Sequence, residues 1–190
     1  MKRSNWLRRV KVSADGAGVV SHAGVGMLRE LAHDSGLAAG VTPALADTYD
    51  GPWVHAPGRV FTDMAVAIAD GADCVSHIEV FGDRAGMCGA VASMPTTWRI
   101  LDRIDDAHVP GVVAARAAAR ERAWAAGAAP DLTGLLQIDF DATITISHSE
   151  EKENAAKTWK RTCGFHPLLA FLDRPEVSGG EGPGVSAASG

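Results

Sequence analysis

Leu135-Leu136-Gln137-Ile138-Asp139-Phe140-Asp141-Ala142-Thr143-Ile144-Thr145-Ile146-Ser147 is the stretch whose reading decides the fold. From Leu136 onward the even positions are apolar or small: Leu136, Ile138, Phe140, Ala142, Ile144 and Ile146. The odd positions, Gln137, Asp139, Asp141, Thr143, Thr145 and Ser147, are all polar. Successive side chains of a strand point to opposite faces, so this alternation predicts one strand with an apolar and a polar face. Asp139 and Asp141 fall on the polar face, about 7 Å apart at about 3.3 Å per residue. Two carboxylates placed this way suit magnesium, a hard cation that takes oxygen ligands and keeps waters and phosphates in its shell. On spacing alone, a solvent-facing stripe that keeps the strand soluble accounts for them more simply. A complete phosphoryl-transfer site would need further carboxylates from other elements to hold a metal pair.

Outward from this strand, His148 to Arg161 is a hydrophilic connection and Phe165 to Leu172 a second apolar run. Two strands joined by one loop predict an antiparallel pair, and two strands alone do not make a stable sheet. Residues 177–190 are mostly glycine, serine and alanine, too poor in core-forming side chains to fold, so a disordered tail is expected there.

Upstream the pattern is helical. Ser21 is a candidate N-cap for a helix through Met27, Leu28, Leu31 and Ala32, ending at Gly36. Thr42-Pro43 reads as a cap and first turn opening a short helix. Pro57-Gly58 precedes a stronger helix with Val60, Met64, Ala67 and Ile68 on one face and Gly71 as its stop. Gly82 to Met94 is expected to be irregular. A threonine after Pro95 is expected to cap a helix carrying Trp98, Leu101 and Ile104 on one side. A last helix, from about Gly111 to Ala126, exposes Arg116, Arg120 and Arg122, with Arg116 and Arg120 sharing a face at a spacing of four. That face is either solvated surface or a phosphate-contacting strip. Gly127-Ala128-Ala129-Pro130 then reads as a linker.

Composition bounds the rest. Of the 190 residues, 46% are hydrophobic, enough for a core. No apolar run reaches the roughly 18 residues of a membrane helix, and the basic start lacks the apolar stretch of a signal peptide, so a cytoplasmic location and no membrane partner are expected. The three cysteines, Cys74, Cys88 and Cys163, are odd in number and widely spaced, which argues against a disulfide framework. Cys74 and His77 offer only two ligands, which do not make a metal site. The net charge of −5 speaks against a nucleic-acid coat over the whole surface but leaves room for local contacts. Lys2, Arg3, Arg8, Arg9 and Lys11 form a basic arm that could meet phosphates or simply be a solvated terminus.

Two resemblances meet on the aspartate strand. Its apolar run followed by D-x-D-x-T resembles the first motif of haloacid-dehalogenase-type phosphatases, which would make Asp139 the nucleophile and Asp141 the general acid/base. That motif ends a parallel strand buried on both faces, unlike the alternation seen here. A longer set of motifs resembles bacterial insertion-sequence transposases of the DDE type. Asp139-Phe140-Asp141-Ala142-Thr143, His148 to Ala156, Thr158-Trp159-Lys160-Arg161 and Gly164 to Leu169 resemble the opening of their ribonuclease-H-like catalytic domain. Gly36-Leu37, His55 to Arg59, Ala69 to Cys74, and Val91-Ala92-Ser93 through Thr97-Trp98-Arg99 resemble their helical N-terminal domain. The resemblance runs from about Lys11 to Glu181. It departs at Glu150-Glu151, where the family pattern has a single acid, at Lys157, where it has proline, and at Cys163, where it has an aromatic residue.

The resemblance implies an α/β (α+β) chain: a mostly helical, DNA-binding domain over residues 1–130, the start of a ribonuclease-H-like domain over 131–176, then the tail. It makes Asp141 the first catalytic acid, with Asp139 its neighbour at a Mg2+ (or Mn2+) site. DNA transposition in this family proceeds by metal-dependent cleavage at the ends of the element and strand transfer to target DNA. The second aspartate and the glutamate belong to later parts of the sheet. The expectation is therefore a truncated transposase, from a frameshift, a stop or a split gene, that retains at most DNA binding, or an inactive pseudogene product. Expected DNA contacts are Arg8, Arg9, Lys11, Arg116, Arg120, Lys157, Lys160 and Arg161. Expected partners are the transposon ends and a second copy or the full-length transposase.

Overall fold

Proline and glycine set the helix boundaries of the first half. The computed structural model describes residue 22 and residues 24–147, 155–159, 161–174 and 181–187. These fall in two compact units, 1–126 and 127–190.

In the first unit α1 (Gly24–Asp34) and α2 (Leu37–Ala44) are separated by Gly36, whose φ of 73° suits a residue without a β-carbon. Thr42-Pro43 does not open a helix, contrary to the sequence reading. Both residues lie inside α2, where the Thr42 hydroxyl donates to the Ala38 carbonyl at 2.8 Å. Proline is tolerated because the helix ends at the next residue, so little of the ladder is lost.

Helix α3 (Pro57–Ala69) begins with proline in its first turn, where the missing N–H would have had no partner. It is the central element, packed against α1, α2 and α6 (Met94–Asp102). Val60, Met64 and Ala67 face inward as expected, but Ile68 is 60% exposed. The inward face is turned towards Asp63 and Val66, because Asp63 is held inside by an ion pair. Gly58 lies against the backbone of α2. A β-carbon there would collide with the Ala38 carbonyl and the Thr42 amide.

The stretch expected to be irregular, Gly82 to Met94, contains one single-turn helix, α5 (Ala85–Cys88), and follows directly on another, α4 (Glu79–Gly82); the buried Phe81 and Cys88 pin the two. The cap position of α6 is taken by Ser93, and the threonines lie within the helix. Its buried residues are Thr97 and Ile100, while Trp98 is 56% exposed, so the face predicted from Trp98 was rotated by about one residue. Helix α7 (Val109–Ala123) turns Ala115 and Ala119 inward. Small residues let it approach α2, with Ala44 against Gly111 and Gly40 against Ala115. Gly127, at φ 105°, ends the helical run.

The second unit is built of short antiparallel strands: β1 (Ile138–Ala142), β2 (Thr145–Ser147), β3 (Ala156–Lys157), β4 (Cys163–Phe165), β5 (Pro167–Leu172) and β6 (Glu181–Ala187). Their orders are β1-β5-β6 and β2-β4-β3. The predicted single strand from Leu136 to Ser147 is thus broken at Thr143-Ile144. Its register is not. Ala142 lies opposite Leu168 and Thr145 opposite Phe165, so β1–β5 and β2–β4 continue one antiparallel ribbon. Pro167, which has no N–H and restricts His166 before it, accounts for the break.

Along the apolar face of β1, Ile138 is 51% and Phe140 69% exposed. Among the described residues this unit holds no helix beyond Ala128 to lie over it. Within the stretch expected to be disordered, Glu181–Ala187 pairs with β5, Leu169 opposite Val185. Strand pairing uses backbone groups that glycine, serine and alanine also carry, and β5 supplies the template. No described helix is long and apolar enough to cross a membrane.

Candidate metal and nucleic-acid site

The ribbon register fixes the surroundings of the two acids. Asp139 lies opposite Phe171 and Asp141 opposite Leu169, so the acids share one sheet face with two apolar side chains. Both aspartates are exposed, and Gln137 Nε2 donates to Asp139 Oδ1 at 3.4 Å. On the same strand the other face carries Ile138, Phe140 and Ala142.

The donor chemistry fits a hard divalent cation, since both side chains offer carboxylate oxygens. The number of donors does not complete a cage. Among the described residues no third His, Cys, Asp or Glu gathers with them. Antiparallel pairing with β5 also differs from the parallel, doubly buried strand on which the phosphatase motif sits.

The basic residues fall into three groups. Arg8, Arg9, Lys11 and Lys160 lie outside the described residues. Arg116 and Arg120 follow one line on α7, but they are not equivalent. Arg116 is exposed, whereas Arg120 is half-buried with its guanidinium 5.9 Å from the centre of the Trp124 ring. Arg122, also expected on the surface, reaches back to the Ser35 carbonyl at 2.6 Å and ties α7 to the end of α1.

Lys157 and Arg161 are brought together by the β3–β4 hairpin. Its turn is closed by Thr158 N–H to the Thr162 carbonyl at 2.7 Å and by Arg161 N–H to the Thr158 carbonyl at 3.0 Å. The two threonine hydroxyls meet at 2.7 Å. Arg161 takes a φ of 60°, and Trp159 at the tip is 80% exposed. An aromatic ring between exposed cations is a surface that can stack on a base while the charges meet phosphates.

Two polar clusters escaped the sequence reading. In the first unit Asp63 is clasped by Arg29 and Arg59, and both guanidiniums also donate to the Cys88 carbonyl. Burial raises the Cys88 thiol above its ordinary pKa of 9.0, with Arg29 opposing, so this cysteine stays a neutral packing residue. The second cluster joins His108 to Asp47 at 3.0 Å and Asp105 at 2.6 Å. Arg59 and Asp63, four apart on one helix, were the only local sign of the first, and Asp105 and His108, three apart, of the second; Arg29, Cys88 and Asp47 come from elsewhere in the sequence.

A family model described as transposase DDE domain group 1 matches residues 3–180. No curated protein and no solved structure matches the chain. The match bears out the resemblance read from the motifs and spans the helical unit as well as the aspartate ribbon. The chain belongs to the family of transposase DDE domain group 1.

Proposed function

We propose that these residues are the DNA-binding domain and the first limb of the catalytic domain of an insertion-sequence transposase. The observation that carries this is the family match over residues 3–180 together with Asp139 and Asp141 side by side on an exposed sheet face. Asp141 is the first catalytic acid and Asp139 its neighbour. A bound Mg2+ or Mn2+ would activate the attacking oxygen and stabilise the leaving one in phosphoryl transfer. The chain's own part is to present carboxylate oxygens from a strand fixed by its register with β5.

Two acids do not hold a metal pair. With these two acids alone gathered among the described residues, the activity proposed for them is binding of DNA ends without cutting. DNA contacts are made by Lys157, Lys160 and Arg161 around Trp159, by Arg116 and Arg120 on α7, and by Arg8, Arg9 and Lys11. The partners are the transposon ends in the cytoplasm and a second copy of the transposase.

The test is fluorescence anisotropy on duplexes tiled from the DNA flanking the gene, where the element's ends would lie, against a scrambled duplex, over a salt series. Preference for particular tiles and a steep loss of affinity with salt are expected. Equal binding to the tiled and scrambled duplexes, or a flat salt response, would overturn the assignment. Incubation of the preferred duplex with Mg2+ or Mn2+ should give no nick, and efficient end-specific nicking would refute the claim that the chain binds without cutting.

A further inference from the structure

Asp73, Cys74 and His77 converge on one exposed turn of the helical unit. Their ligand atoms, one carboxylate oxygen, Sγ and a ring nitrogen, all lie within 4.8 Å of one another. His77 Nδ1 stands 3.5 Å from Asp73 Oδ1. Cys74 Sγ is 3.1 Å from Ser76 Oγ. We propose that this turn is a zinc site, with Asp73, Cys74 and His77 as three ligands and water as the fourth.

The chemistry of the set favours zinc over a hard cation. Thiolate, imidazole and carboxylate are its usual protein ligands, bound at about 2.0–2.3 Å in a tetrahedron. Such bonds place the ligand atoms about 3.3–3.8 Å apart. The Asp73–His77 distance already lies in that range, and no two of the three ligand atoms are more than 4.8 Å apart, so the remaining approach is about 1 Å. His77 is 48% and Asp73 86% exposed at the side chain, so neither is held by packing. On binding, the Cys74 thiol gives its proton to solvent, and Zn2+ with one thiolate, one carboxylate and neutral imidazole makes a site of zero net charge.

The backbone beneath is fixed. The turn runs into a 3-10 helix, Val75–Ile78, with His77 N–H bonded to the Cys74 carbonyl at 3.2 Å. Ile78 and Phe81, each 1% exposed, anchor the C-terminal side of the turn in the core. The turn therefore loses little entropy on closing around an ion. The site belongs to the helical unit and uses a soft donor, whereas Asp139 and Asp141 offer oxygen alone.

The test uses the full chain stripped with chelator and titrated with Co2+, whose thiolate charge-transfer and d–d bands report a tetrahedral sulfur-containing site. One equivalent should develop both bands, and Zn2+ should displace it. Cys74→Ser should abolish the charge-transfer band, and His77→Ala should weaken Zn2+ binding beyond the about 10–100-fold typical of losing an outer partner. Cys163→Ser should leave both unchanged, and far-ultraviolet circular dichroism checks that each variant is folded. Absence of the bands in the parent chain, or their survival in Cys74→Ser, would overturn the assignment.

Discussion

Arg29 and Asp63 form a forked ion pair across the contact of α1 and α3, Nε to Oδ1 at 2.8 Å and Nη2 to Oδ2 at 2.9 Å. Their side chains are 3% and 4% exposed. A pair this deep does not stabilise by its charges alone, because desolvation offsets the attraction. Its effect is to fix how two helices meet. Removing one partner leaves a charge with nowhere to go, so Asp63→Ala, which strands the Arg29 guanidinium, should cost about 3–5 kcal/mol. Arg59→Gln, at a side chain 32% exposed, should cost about 1 kcal/mol or less. The double variant Arg29→Met with Asp63→Leu should recover part of the Asp63→Ala loss. Urea unfolding followed by far-ultraviolet circular dichroism, which reports mainly the helical unit, checks the order.

Gly58 provides a steric test of the α2–α3 contact. Gly58→Ala gains helix propensity on paper, yet its β-carbon would meet the Ala38 carbonyl and Thr42. Overpacking against backbone costs about 1–3 kcal/mol, more than the about 1 kcal/mol that alanine gains over glycine in a helix. Net destabilisation in the same urea experiment is expected. A more stable variant would mean that the two helices can move apart freely.

The His108 cluster gives the helical unit a pH dependence. Hydrogen bonding to Asp47 first, then to Asp105, raises the imidazole pKa above its ordinary 6.5. Its contribution is therefore full below that value and is lost as pH rises through the raised folded value. The Asp105 carboxyl is lowered from 3.8, chiefly by the bond from His108 and then by the Ala107 N–H, so its contribution is lost only as pH falls through that lower value. The cluster should stabilise most between about pH 4 and 6.5. The melting-temperature difference between the parent and His108→Gln should be largest there and shrink above neutrality. Asp47 is 81% and Asp105 69% exposed at the side chain, so salt should reduce the difference.

The tip of the β3–β4 hairpin separates charge from stacking. Lys157→Gln and Arg161→Gln should each lower the salt slope of DNA binding by about one if each meets a phosphate. Trp159→Ala should leave the slope unchanged and weaken binding by about 1–3 kcal/mol where a base is free to stack. Anisotropy with duplex and with frayed-end DNA reads both. An unchanged slope in both charge variants would remove the hairpin from the interface.

How much of the fold is legible in the sequence depends on the range of the interactions. Period-two alternation found β1 and β2, and the apolar run found β5, because strand faces are set by neighbouring residues. The break at Thr143-Ile144 was not seen, since its cause, Pro167, lies on the opposite strand. Alternation separates an apolar face from a polar one, but whether Ile138 and Phe140 are buried depends on what lies over that face. On α3 the apolar positions gave the inward side only approximately, because Asp63 is drawn inside by Arg29 from another helix. Cys74 and His77 were visible as two donors. The third, Asp73, became apparent only when the turn put its carboxylate beside His77. Pairing of Glu181–Ala187 with β5 rests on backbone groups, which composition does not record.

Asp139 and Asp141 should behave as residues kept for chemistry rather than for the fold. Both are exposed, and two carboxylates on one strand face repel each other, so neither supports packing. Asp139→Asn and Asp141→Asn should change stability by no more than about 0.5 kcal/mol in the absence of metal. Their effect should appear with Mn2+. In the parent chain this paramagnetic ion should broaden the amide signals of β1 and of Leu169 and Phe171 opposite it, at a weak affinity suited to two ligands. Asp141→Asn should remove most of that broadening and Asp139→Asn part of it. The His77→Ala chain, altered only at the helical turn, should keep it. Broadening in the parent that ignored both aspartates would detach the metal from this strand and leave the acids as a solvated stripe.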